Sequence, residues 1–395
     1  MTKQTFIEQT GHGKGLAETE LLSVFPNSIV EEVYDGWAFE ADEFDPIATM
    51  NKMGGAVRLL KVLQKGPAVM PLNFEEWVVK AITNHHNGAS GKFRFGLNMH
   101  PKSDKILKGL LIGSKKKLKE LGNVRFVNKD FQNLSSVQAW HEDLLGERAI
   151  ELTLFKGDKH WYLAQTVAIQ DFEWYSHRDY ERPSPDASNG MFPPKLAQIL
   201  INLASQDPSE TIFDPFCGSG TVLQEAVLMG FKAFGSDISE KMVMDSQENL
   251  RWLQDQVERS LDTPTFLMAD ATKLTKKELP KQPFVVVTET WLGPALKQVL
   301  SPLERPKVHR EIESLYDAFF SNLRKQIEAP LTVVFTAPYH RENHERLFLH
   351  NLPAILKKHA EIVPLSKHER PSLFFERKQQ LVSREIWKII LHPSK

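Results

Sequence analysis

The feature that most constrains this chain is a succession of short, almost wholly apolar stretches from residue 211 onward, each followed by a segment of helical periodicity. Two of them read Phe-Val-Val-Val and Leu-Thr-Val-Val-Phe, at 284–287 and 331–335. A strand with no polar side has to be covered on both faces, and strands that alternate with helices pair in parallel. The expected strands are 211–216, 232–238, 265–269, 284–288 and 331–336, and the expected helices 221–229, 241–255, 309–328 and 341–359. A further helix precedes them, with Pro193-Pro194 in its first turn, where a missing amide costs nothing. Two closing strands, 373–377 and 385–391, are joined by residues 378–384.

The chain before this region reads differently. A helix at 18–24, alternating stretches over 28–39 and a helix at 45–62, with a break or close approach at Gly54-Gly55, make up a first segment. Residues 73–171 offer a strand (92–99), a basic helix (104–121), a short strand (124–128), a helix or turn near Ser135 and a hairpin (151–155 and 160–168), the order of a small α+β unit. Three domains are therefore expected, at 1–72, 73–172 and 173–395.

Of the 395 residues, 41% are hydrophobic and 25% charged, the make-up of a globular chain. The single cysteine, Cys217, rules out an internal disulfide or a cysteine-based zinc site and fits a reducing compartment. No apolar run is long enough to span a bilayer and no signal-peptide core is present, so a cytoplasmic location is expected. The net charge of −1 alone argues against a nucleic-acid partner. The distribution reverses that argument, because residues 92–129 hold eleven Lys or Arg against two acids while residues 1–70 are net acidic. A basic face of this kind releases counterions from phosphates, and Lys115, Lys116 and Lys117 are its densest part.

Three features mark the carboxyl ends of the first three strands, where open α/β sheets bind ligands. Asp214-Pro215-Phe216-Cys217-Gly218-Ser219-Gly220-Thr221 leads into a helix whose first amides can face a carboxylate. Gly218 and Gly220 allow the close bend. Asp237, followed by Ile238, ends the second strand and suits the two hydroxyls of a ribose. Asp270, followed by Ala271, ends the third and suits an adenine amino group. A dinucleotide fits less well, because the loop lacks the third glycine of G-x-G-x-x-G. No metal is called for.

The run D-P-F-C-G-S-G-T resembles the S-adenosylmethionine (SAM) motif of amino-group methyltransferases acting on nucleic acid. R-D-Y-E-R-P (178–183), M-F-P-P-K-L-A-Q-I-L-I-N-L-A (191–204) and R-x-x-Q-x-V-x-R-E-I (377–386, with Gln380) resemble the THUMP-domain tRNA guanine-N2 methyltransferases. The resemblance implies an α/β fold with a C-terminal Rossmann-like catalytic domain behind ferredoxin-like and THUMP-like α+β domains. It also implies SAM as cofactor, held by Asp214, Phe216, Gly218, Gly220, Thr221, Asp237, Ile238, Asp270 and Ala271, and tRNA as partner. It leaves open a small activating subunit.

The chain departs from the family at the end of the fourth strand. In place of D/N-P-P-Y/F/W it reads Thr288-Glu289-Thr290-Trp291-Leu292-Gly293-Pro294. Thr288 falls on the usual acidic position, Glu289 can accept hydrogen bonds and a proton from an amine, and Trp291 keeps the stacking ring. Arg178 and Arg182, close to Trp174 and Tyr175, are candidate contacts to unpaired nucleotides. The leading expectation is methyl transfer to a guanosine N2 in tRNA. The alternatives are a DNA or ribosomal RNA acceptor, or a tRNA-binding module without activity.

Overall fold

The computed structural model describes residues 3–394 apart from 12, 29, 70–72, 89–90, 186–190, 282, 297, 343–344, 368–369 and 378–379. The chain divides into two compact units, residues 1–18 with 25–172, and residues 19–24 with 173–395.

The first unit runs β1 (Gln4–Thr10), α1 (Lys14–Val24, its end counted with the second unit), β2 (Val30–Val33), β3 (Gly36–Ala41), α2 (Pro46–Met50) and β4 (Ala56–Pro67). It continues with α3 (Phe74–His86), β5 (Phe93–His100), α4 (Asp104–Lys117), β6 (Val124–Phe126), α5 (Ser136–His141), β7 (Ala149–Lys156) and β8 (His160–Ile169). All eight strands share one sheet, in the order β2-β3-β1-β4-β8-β7-β5-β6. The stretches expected as separate domains at 1–72 and 73–172 are thus joined through the β4–β8 pairing. A buried ion pair crosses that seam, from Arg58 of β4 to Glu151 of β7 at 3.1 Å.

The helix expected at 45–62 is a correction. Asp45 caps only a five-residue helix, its carboxylate accepting from the Ile47 and Ala48 amides, and the chain turns at Gly54-Gly55 into the twelve-residue strand β4. That strand lies between β1 and β8 and is buried on both faces over 58–60, so the alternation that marks a one-sided strand is missing. Strand β1 and helix α3 were not anticipated.

The second unit holds α6 (Phe172–Tyr180, whose first residue counts with the first unit), α7 (Pro194–Ala204), β9 (Thr211–Asp214), α8 (Thr221–Met229), β10 (Lys232–Asp237), α9 (Glu240–Gln256), β11 (Thr265–Met268) and β12 (Phe284–Glu289). It ends with α10 (Arg305–Gln326), β13 (Leu331–Glu342), β14 (Glu345–Phe348), α11 (Leu352–His359), β15 (Ala360–Val363), β16 (Leu373–Phe375) and β17 (Val382–Leu391). The sheet order is β11-β10-β9-β12-β13-β17-β15. Strands β9 to β13 are parallel and β17 enters antiparallel between β13 and β15. The order reverses between β9 and β12, which opens a crevice at their carboxyl ends. One face is sealed by α10, whose Tyr316, Phe319 and Phe320 meet Val286, Val333 and Phe335 in a closed core.

The helix expected at 341–359 is a second correction. Strand β13 runs on to Glu342 and turns back as β14, and only residues 352–359 are helical. Pro353 sits in the first turn of α11, the position where proline starts a helix rather than continuing one.

Candidate active site

The loop after β9 is built around the Asp214 side chain. Its Oδ1 accepts from the Phe216 amide at 3.1 Å and from the Thr288 hydroxyl at 2.6 Å. Asp214 is 2% exposed. Burial pushes its carboxyl up to about 8, against the lowering by the Thr288 hydroxyl and the Phe216 amide. Thr288 therefore has a different place from the one expected. It is fully buried with its hydroxyl committed to Asp214, and it braces the loop instead of meeting an acceptor.

The loop is also tied sideways. The Cys217 amide donates to the Ser236 carbonyl of β10 at 2.9 Å, and the Gly218 amide to Asp237 Oδ2 at 3.0 Å. Asp237 Oδ1 accepts from the Ser239 amide at 2.9 Å. A carboxylate oxygen accepts more than one hydrogen bond, so a main-chain amide on each still suits the two adjacent hydroxyls of a ribose. Gly218 has φ 49°, and a Cβ placed on it would meet nothing within 4 Å, so its open side is available to a ligand. Gly220 differs, because with φ 86° a Cβ would stand 2.1 Å from Ser246 Oγ of α9. One glycine gives access; the other lets two helices close up.

Asp270 lies two residues beyond β11. Its Oδ1 accepts from the hydroxyl and amide of Thr272 at 2.7 and 2.9 Å, and Lys273 Nζ is 3.0 Å from Oδ2. The Thr272 hydroxyl, its amide and Lys273 hold the carboxyl below its ordinary range despite partial burial. Ile238 is exposed and Ala271 buried.

A cleft of about 1000 Å³ runs from Phe216, Gly218, Asp237, Ile238, Asp270 and Ala271 to Glu289, Trp291, Gln380 and Arg384. That is ample for a nucleoside-sized cofactor together with part of a second molecule. A narrow recess of about 70 Å³ opens beside the loop between Phe192, Asp214, Ser219 and Glu289. The open Gly218, the two-oxygen acceptor at Asp237 and the exposed Ile238 together fit an adenosine cofactor.

Glu289 ends β12 and lines both spaces. Arg384 Nε of β17 donates to its Oε1 at 2.5 Å, and Arg384 Nη1 donates to Gln380 Oε1 at 3.2 Å. The next residues are anchored from behind. Thr290 donates to the Thr336 carbonyl at 2.7 Å and shares a short hydrogen bond with the Tyr316 hydroxyl. Trp291 is left 41% exposed at the cleft. The roles of Arg384 and Gln380 were not anticipated, although both belong to the 377–386 stretch.

Arg178 and Arg182 are corrected. Arg178 is 2% exposed, donates from Nε and Nη2 to the Glu225 carboxylate at 2.7 and 3.2 Å, and lies over the Trp174 and Tyr175 rings. Arg182 is 3% exposed and donates from Nη1 to Thr221 Oγ1 at 2.6 Å. Both lie inside the second unit, beyond reach of a phosphate. Thr221, expected to contact the cofactor, is itself buried and serves as the Arg182 acceptor. By contrast Lys115, Lys116 and Lys117 are exposed on α4, with Lys117 paired to Glu75 at 2.9 Å and Lys115 over the Phe126 ring. Among the described residues no cluster of His, Cys, Asp and Glu could hold a metal ion, and no helix is long and apolar enough to cross a membrane.

The reversed parallel sheet, the glycine loop after its first strand and the acidic ends of the next two give the second unit a Rossmann-like α/β fold with its ligand crevice at the strands' carboxyl ends. The family described as "RMKL-like, methyltransferase domain" matches residues 182–370, just under half of the chain. A DNA methylase family matches residues 69–248.

Two relatives named tRNA (guanine(10)-N2)-dimethyltransferase are similar over part of their length. The one from Methanothermobacter thermautotrophicus is 34% identical over 105 residues, 24% of this chain and 31% of the relative. That from Pyrococcus abyssi is 33% identical over 135 residues, 33% and 37% of the two chains. The matched stretches thus span about a third of these relatives. Among solved structures, a possible methylase from Clostridium difficile 630 has a TM-score of 0.54 at 14% identity, covering 100% of this chain and 99% of its own. TrmN from Thermus thermophilus has a TM-score of 0.50 at 15% identity, covering 98% and 99%. These two show the fold.

Proposed function

We propose that this chain transfers a methyl group from SAM to the exocyclic N2 amine of a guanosine in tRNA. The observation that carries the reading is Glu289, a carboxylate fixed by Arg384 in the cleft that also holds Gly218, Asp237 and Trp291. The names of the partial relatives support the choice of acceptor.

Gly218 and the first amides of α8 would hold the carboxylate end of the cofactor, Asp237 its ribose and Asp270 its adenine. When bound, the cofactor supplies a methyl carbon made electrophilic by a sulfonium. The N2 lone pair of guanine is delocalised into the ring, so the residues' main task is to orient it. Trp291 stacks on a base taken out of its helix. Glu289 accepts a hydrogen bond from the amine through its carboxylate, then takes the proton released as the new N–C bond forms and the methyl–sulfur bond breaks, its electron pair going to the departing sulfur. Residues 73–172, with Lys115, Lys116 and Lys117, act as the THUMP-like part that holds the tRNA backbone.

The test is incubation of the full chain with labelled SAM and unmodified tRNA, followed by nucleoside analysis. Label in N2-methylguanosine supports the reading, and its absence overturns it. The DNA methylase match gives a second reading. Label recovered in DNA and not in tRNA would favour that one.

A further inference from the structure

We propose that Gln380 selects the acceptor base, by presenting an amide donor to the oxygen at position 6 of guanine. This rests on the methyl-transfer reading above and adds the group that tells guanine from adenine.

The argument starts at Arg384, which is 1% exposed and holds two side chains at once. Its Nε donates to Glu289 Oε1 and its Nη1 to Gln380 Oε1. A guanidinium has donors only. The Gln380 atom that faces it must therefore be the carbonyl oxygen, which settles an amide orientation that otherwise has two near-equivalent choices. The Gln380 NH₂ group is then turned away from Arg384. No hydrogen bond from it is formed among the described residues.

Glu289 and Gln380 both line the cleft beside Trp291. One planar group thus sets side by side an acceptor that can only accept and an amide that presents its donor. A guanine stacked on Trp291 carries the matching sequence on one edge, with N2–H and N1–H as donors and O6 as acceptor. Adenine carries an amino group at position 6, so its donor would face the donor of Gln380. Sites built to pair a buried polar group reject a base that leaves it unpaired far more strongly than apolar pockets reject a change of size.

The experiment compares tRNA bearing guanosine at the methylated position with tRNA bearing 6-thioguanosine there. The thio analogue keeps N2 and N1–H and replaces O6 by sulfur, a weak acceptor. The wild-type chain is expected to favour guanosine in kcat/KM by at least about tenfold. In Gln380→Ala and Gln380→Glu the preference should fall to within about twofold, mainly through loss of rate on guanosine. Gln380→Glu is the sharper variant, because it can still meet Arg384 but has no donor. Unchanged SAM affinity by calorimetry shows that each variant is folded. A preference that persists in both variants, or a wild-type chain indifferent to the sulfur, overturns the assignment. A wild-type chain that leaves guanosine unmethylated overturns the methyl-transfer reading, and this assignment with it.

Discussion

Removing the Glu289 carboxylate should weaken the fold and the chemistry separately, and the structure sets the size of the first effect. The Arg384 side chain is 2% exposed and that of Glu289 20%. In Glu289→Ala the guanidinium stays buried, and its remaining side-chain partners among the described residues are Gln380 and the Phe192 ring, 5.7 Å away. Truncating one partner of a fully buried pair costs about 3–5 kcal/mol, and water reaching the Glu289 side relieves part of it, leaving about 3 kcal/mol. For a unit of this size that corresponds to a fall of roughly 6–12 °C in Tm. Glu289→Gln keeps an acceptor oxygen for Arg384 and should cost on the order of 1–2 kcal/mol. Single-turnover methylation, measured well below the lowest Tm, then isolates the chemical role. Rates should fall in the order wild type, Gln, Ala, with Ala down by at least about a hundredfold, as for a positioned proton acceptor. If Glu289→Ala melts with the wild type, the ion pair contributes nothing. If it also methylates at the wild-type rate, the acceptor lies elsewhere.

Three further outcomes are expected. Asp237→Ala removes both the ribose acceptor and the partner of the Gly218 amide, and calorimetry should show SAM binding weaker by about 1.5–3 kcal/mol; equal affinity would displace the ribose from Asp237. Neutralising Lys115, Lys116 and Lys117 together should flatten the salt dependence of tRNA binding by a slope change of about one for each phosphate no longer neutralised, with Lys117 the smallest contributor because Glu75 already pairs with it. Asp214 titrates at about 8 in the fold, above its unfolded value, so the native state holds a proton that the unfolded chain has given up. Its contribution to stability is full below the unfolded value of about 4 and is lost as pH rises through about 8. Urea midpoints of Asp214→Asn should therefore decline less across that window than those of the wild type, and parallel profiles would contradict the shift.

That Gly218, Asp237 and Asp270 would line one cleft, the side proposed for the cofactor, was legible because the signals are local. An acidic residue closes β9 and β10 and another follows β11, and two glycines lie within seven residues of the first. The acceptor side depends on contacts the sequence does not bring together. Glu289 and Arg384 stand 95 residues apart and meet only because β17 enters antiparallel beside β13. Whether Thr288 faces a substrate or Asp214 depends on which strand lies next to β12, and that strand is β9. Arg58 shows the same limit in the first unit. Buried against Glu151 in a strand covered on both faces, it broke the apolar run and left a pattern that fits a helix as well as a strand.

The two misplaced arginines show how the stretch before the loop contributes without touching a ligand. Glu225 on α8 is 1% exposed, and a carboxylate there is costly unless its oxygens are met. Arg178 of α6 donates to both oxygens, and Gln198 of α7 adds a third bond at 2.8 Å. The Tyr175 hydroxyl donates to Gln198 Oε1 at 2.5 Å, which closes a chain of directional bonds through α6, α7 and α8. Apolar contacts between helices tolerate sliding by a fraction of a turn, whereas such a chain tolerates little. The first turn of α8 is held as well, through Arg182 on Thr221. Those first amides face the place proposed for the cofactor carboxylate, where an error of about 1 Å is enough to cost a hundredfold in rate. In the proposed reaction the arginines would act through the helix they fix, which accounts for their place beside the loop in sequence yet inside the unit in space.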